Sequence, residues 1–163
     1  MTQRGLAIFR GDDATPLDAT VMSPPRLDPE IPRALDLSPI AAGTRTEVLF
    51  LGEGSGGFTR VRARFQTGYR LPRHSHDSDC LYYVVAGSVV MGSLVLQPGD
   101  GFFVPADAPY AYEAGPDGVE VLEFRHATKF DIDVRDQTVE RWEPIVAAAA
   151  ANQEQWLREG TDS

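Results

Sequence analysis

The sequence has a single cysteine, Cys80, so no internal disulfide can form, and any imidazole chemistry must come from only three histidines, His74, His76 and His126. Basic residues are also scarce: 15 Lys and Arg against 24 Asp and Glu leave a formal charge of −9, which repels phosphate backbones and anionic membrane surfaces. That excludes nucleic acid and membrane as favoured partners. No apolar run approaches the roughly 18 residues a membrane-spanning helix needs, since even Ala147 to Ala151 is flanked by polar residues. No basic stretch leading into an apolar one opens the chain, and with the lone cysteine this predicts a cytoplasmic location. Glycine-rich phosphate loops of the standard patterns are missing, and no Ser-His-Asp set can be argued from spacing, which sets aside nucleotide-binding and hydrolase readings.

What is present fits one compact domain: 163 residues, 42% of them hydrophobic, with 15 Gly and 12 Pro scattered as turn residues between short β-prone runs. Residues 1–43 carry Pro16, Pro24, Pro25, Pro29, Pro32 and Pro39 and predict an extended arm that packs on the remainder or on a partner through Leu6, Ile8, Phe9, Val21, Met22 and Leu35. Residues 44–130 predict an all-β domain. Thr46 to Leu51, Thr59 to Gln66, Leu81 to Met91, Leu94 to Leu96, Gly101 to Val104 and Val119 to Phe124 read as its strands. Arg60, Arg62 and Arg64 alternate with Val61, Ala63 and Phe65, a half-buried strand whose arginine stripe faces solvent or another subunit. In residues 131–163, Pro144, Ile145, Ala149, Asn152 and Trp156 fall at helical spacing and Gly160 marks a stop, predicting a helix of roughly four turns.

His74 and His76 are two residues apart, so on a strand they share a face and can hold one metal ion between them. Pro72 before them and Asp77, Ser78 and Asp79 after them place the pair at a strand end. The next strand then puts Cys80, Tyr82 and Val84 on one face and Leu81, Tyr83 and Val85 on the other. Two imidazoles alone hold a divalent ion poorly, so a third ligand is required, with His126, Glu123, Asp77 and Asp79 as candidates. The face of His126 stays open, because Leu122 and Phe124 favour one register of its strand and Val119 and Val121 the other. Tyr82, Phe103, Tyr112 and Trp142 supply aromatic surface that can line a pocket or fill a core.

The run Gly68, five residues, His74-x-His76, three residues, Cys80, six residues, Gly87 resembles the first motif of the cupin superfamily. Gly99, five residues and Pro105 resemble the second, with Asp107 where that family has Gly, Tyr110 where it has its third His and Ala114 where it has Asn. The resemblance spans about Glu47 to His126 and implies a jelly-roll barrel, here with an N-terminal extended arm and a C-terminal helix. It also adds Cys80, at the family's Glu position, and Tyr110 to the candidate metal ligands. On this reading the barrel binds a divalent ion, Fe, Zn, Mn or Ni, together with a small organic molecule, and acts as a metal-dependent oxygenase or isomerase. The alternative is a metal-free, non-catalytic binding or sensory cupin that has lost its complete site, and whether the chain is an enzyme stays open. Cupins commonly pair, and the arm and the Trp156 helix offer apolar surface, which predicts a homodimer.

Overall fold

The computed structural model describes residues 5–54 and 56–160. Along them run β1 (Thr15–Pro16), α1 (Glu30–Ala34), β2 (Thr44–Leu51), β3 (Thr59–Phe65), β4 (His74–Ser75), β5 (Cys80–Met91), β6 (Leu94–Leu96), β7 (Gly101–Val104), β8 (Glu113–Arg125), β9 (Asp133–Val134) and α2 (Val139–Gly160). Seven strands form one antiparallel sheet in the order β1-β2-β3-β8-β5-β6, with β7 also on β5, while β4 and β9 pair separately. The arrangement is jelly-roll-like. Its hydrogen bonding does not close into a continuous barrel among the described residues, because β6 and β1 remain edges.

The strand alternation read from the sequence is realised. On β3, Thr59, Val61, Ala63 and Phe65 are buried and the arginines between them are half-buried. Those arginines hold neighbouring strands: Arg62 pairs with Glu47 on β2 at 2.7 Å, and Arg64 with Glu120 on β8 at 2.8 Å. On β5, Cys80, Tyr82 and Val84 point inward and Leu81, Tyr83 and Val85 outward.

β8 is longer than the sequence suggests. The sequence reading began this strand at Val119, yet it starts at Glu113 and continues through Pro116, Asp117 and Gly118 with irregular register against β5. Gly87 makes this crossing possible: its φ is +68°, and a Cβ there would be driven into the carbonyl oxygen of Gly118.

Residues 5–43 are not extended throughout. Pro29 and Pro32 flank and enter the first turn of α1, where a missing N–H costs nothing, and Asp28 Oδ1 accepts a hydrogen bond from the Glu30 N–H at 2.9 Å. Further back, β1 pairs with β2, and Met22 forms a parallel bridge with Phe130. α2 begins at Val139, before Pro144, and buries Trp142, Ile145, Ala149 and Trp156. The Trp156 indole donates to the Thr67 carbonyl at 3.0 Å and packs on Tyr69. Val21, Ile31 and Trp156 thus spend their apolar surface on the chain itself. Among the described residues no helix is long and apolar enough to cross a membrane.

Candidate functional site

β4 is only two residues long, and its neighbours fix the histidines. His74 pairs with Val134 of β9, and His74 and Tyr110 exchange backbone hydrogen bonds of 3.0 and 2.9 Å, which sets Tyr110 beside the pair. Asp77 and Asp131 each accept the other's backbone N–H at 2.9 Å, and Asp79 accepts the Ala106 N–H at 2.8 Å. These turn carboxylates are therefore committed to clamping loops rather than to a metal.

Both histidines are buried, with ring centroids 5.1 Å apart and Tyr110 centred 4.5 Å from His74. Nδ1 of His74 faces the Pro72 carbonyl at 2.8 Å, and Nδ1 of His76 faces the Asp131 carbonyl at 2.5 Å. A carbonyl oxygen only accepts, so each Nδ1 carries the proton and each Nε2 keeps its lone pair. Burial lowers the pKa of His74, and burial together with the Arg125 guanidinium pushes His76 down to about 4. Both rings are neutral at physiological pH.

These rings line a cavity of about 370 Å³, together with Tyr110 and Glu123. The remaining wall is largely apolar, formed by Leu17, Ile40, Val61, Phe65, Trp142 and Ile145 among others. The inward register of β8 resolves the question left open by the sequence: Val119, Val121 and Arg125 are buried on one face, and Glu123 belongs to it. Glu123 forms an ion pair with Arg125, which lies 4.1 Å from the Phe130 ring centroid and donates to the Tyr82 hydroxyl at 3.1 Å. The Tyr82 hydroxyl in turn is hydrogen-bonded to that of Tyr110. Arg125 was not legible as a site residue. Its signal was the continuation of the Val119, Val121 alternation into two charged positions.

Several sequence expectations are corrected here. Phe103 is 58% exposed on the outer face of β7, opposite the cavity, because strand alternation turns it away. Tyr82 lies behind Tyr110 rather than in the cavity wall, whereas Tyr112 does line it. His126, one residue beyond the inward Arg125, is exposed, bonded to the Gly56 carbonyl at 3.0 Å and stacked on Phe58. Cys80 is buried outside the cavity wall with its Sγ directed at the Leu81 carbonyl, and burial pushes its thiol up to about 12, away from the thiolate a metal needs.

The donor set therefore does not fit a metal held by three protein ligands. His74 and His76 present two lone pairs, but among the described residues no three of His, Cys, Asp and Glu gather where they could hold an ion.

Comparison with known proteins bears on the fold and the family. A family model described as AraC-like ligand binding domain matches residues 55–146. The polyketide cyclase RemF of Streptomyces resistomycificus is 18% identical with a TM-score of 0.52, over 66% of this chain and 84% of that one. An RmlC-like cupin from Shewanella frigidimarina is 25% identical with a TM-score of 0.44, over 56% and 79%. KdgF from Halomonas sp. is 21% identical with a TM-score of 0.48, over 73% and 94%. No curated protein matches the chain.

Proposed function

The chain belongs to the AraC-like ligand-binding domain family, within the cupin superfamily, and from that premise we propose that its cavity binds a small, largely apolar organic molecule without a metal ion. One observation carries this reading: a largely apolar cavity of about 370 Å³ is lined by a cluster of His74, His76 and Tyr110 and by Glu123. That combination fixes a ligand's orientation through a few polar contacts while apolar burial supplies affinity.

The reading is one of binding and sensing rather than turnover. Arg125 is committed to Glu123 and Tyr82, and each imidazole is held in one tautomer by a backbone carbonyl. Leu17, Met22 and Pro25 of the N-terminal arm form part of the cavity wall, so an occupant bears directly on the packing of that segment. A cytoplasmic location belongs to the same proposal and rests on the single reduced cysteine. So does a homodimer, whose motive is now the outer sheet face, where Leu81, Tyr83, Val85 and Phe103 are all exposed. A sedimentation mass of one chain, 17.8 kDa, would remove the dimer from it.

A second reading, a metal-dependent oxygenase or isomerase, is favoured by two histidines that line one cavity and make their backbone bonds through Nδ1, which leaves the Nε2 lone pairs uncommitted to those bonds. Stoichiometric Fe, Zn, Mn or Ni in protein purified without added metal, lost in His74→Ala and His76→Ala, would establish it instead.

The test of the first reading is a thermal-shift screen of chelator-treated protein against small uncharged organic molecules. Hits should raise the melting temperature of the wild type and not of Ile145→Phe, which fills the cavity from α2. Absence of hits, or equal shifts in the filled variant, would overturn it.

A further inference from the structure

The histidines of the cavity wall have a one-sided hydrogen-bonding character. Nδ1 of each histidine donates to a carbonyl, so what each Nε2 offers is a lone pair. Glu123 adds a carboxylate, which only accepts when ionised; Arg125 engages its Oε2, and Oε1 takes no protein donor among the described residues. The two imidazole acceptors thus flank Tyr110, whose hydroxyl pairs with that of Tyr82 and can itself accept or donate, while Glu123 lines the same cavity without gathering with them, among the described residues, into a three-ligand set.

Charge narrows the choice further. Glu123 and Arg125 form a neutral pair, so an ammonium ligand would enter an apolar cavity with no uncompensated anion to meet it. A carboxylate ligand would set its oxygens against the lone pairs of His74, His76 and Glu123. The cation in the cavity wall, Arg70, is 42% exposed at its side chain and lies 3.5 Å from Glu113, outside this inner cluster. The hydroxyls of Thr44 and Thr46 can donate or accept and so do not discriminate.

We infer that the cavity selects an uncharged, mainly apolar molecule carrying a hydroxyl group that donates a hydrogen bond to the imidazole acceptors of His74 and His76, a phenol or an alcohol. This rests on the metal-free binding reading above and specifies the class of its ligand. Selection is steep in such a site, because a ligand without the donor leaves buried acceptors unpaired.

The experiment is a calorimetric titration, at neutral pH and in chelator, of three matched probes: para-ethylphenol, its capped ether para-ethylanisole, and para-ethylbenzoate. The phenol should bind at least about tenfold more tightly than either of the others, the discrimination expected for one satisfied donor in a buried site. In His76→Leu, with cooperative unfolding retained, the margin over the ether should shrink or reverse. If that variant does not fold, the wild-type ranking still decides. Ether or benzoate binding as tightly as the phenol overturns the hydroxyl selectivity and leaves the binding reading standing. No binding of any probe, in a protein that also gives no hits in the thermal-shift screen, overturns both.

Discussion

Arg125 and Glu123 lie two residues apart on one face of β8 and form an ion pair beneath the ligand cavity, with the guanidinium 1% exposed. The opposite charges at i and i+2 share a face because strand side chains alternate, and the Phe130 ring covers the cation at 4.1 Å. Removing one partner leaves a buried charge without compensation. Arg125→Met should therefore lower unfolding stability by about 3–5 kcal/mol in a urea titration, whereas Arg125→Met combined with Glu123→Leu should recover most of the loss. Equal losses in the single and double variants would contradict this role.

The pH dependence has a definite sign. His76 has its pKa lowered from 6.5 to about 4, by burial first and then by Arg125, against opposing contributions from its Asp131 carbonyl bond and Glu123. Between those values the unfolded chain binds the extra proton, so stability rises with pH across the window and is fully present above 6.5. The contribution amounts to about 3 kcal/mol at most. His74 acts in the same direction. Urea unfolding at stepped pH should show this slope in the wild type and a shallower one in His76→Gln; an identical slope in both would be the wrong result.

Cys80 is 1% exposed and its thiol is pushed up to about 12, so it should resist thiol-specific reagents in the native protein and react on unfolding. Labelling rates measured with increasing urea should track global unfolding. Rapid labelling of the native state would show that β5 opens locally.

Gly87→Ala should cost more than about 3 kcal/mol, since it combines a positive φ with a clash against the Gly118 carbonyl. Gly92 has φ of +57°, but a methyl group added there would meet nothing within 4 Å, so Gly92→Ala should cost only about 1–2 kcal/mol. Thermal melts of the two variants separate steric from conformational cost.

Much of the fold was legible because its signals are local. Val61, Ala63 and Phe65 set the inward face of β3, the two-residue count along β5 set that of Cys80 and Tyr82, and the spacing from Gly68 to Gly87 carried the family. His74 and His76 were legible as a pair for the same reason. The rest depends on contacts distant in sequence. Glu123 was named from the sequence as a candidate ligand, but its pairing with Arg125 and the inward face they share emerge only from the register of β8, and the Nδ1 partner of His76 comes from Asp131, 55 residues beyond it. Phe103 was misplaced, and the face of His126 was left open, because an aromatic or an imidazole signals chemistry but not which side of its strand it occupies.

The central claim is that the cavity binds its ligand with protein groups alone. It is tested most directly by titrating para-ethylphenol calorimetrically into the protein in excess chelator and again after adding one equivalent of zinc. The account predicts the same Kd in both titrations; binding seen with zinc and lost in chelator would contradict it.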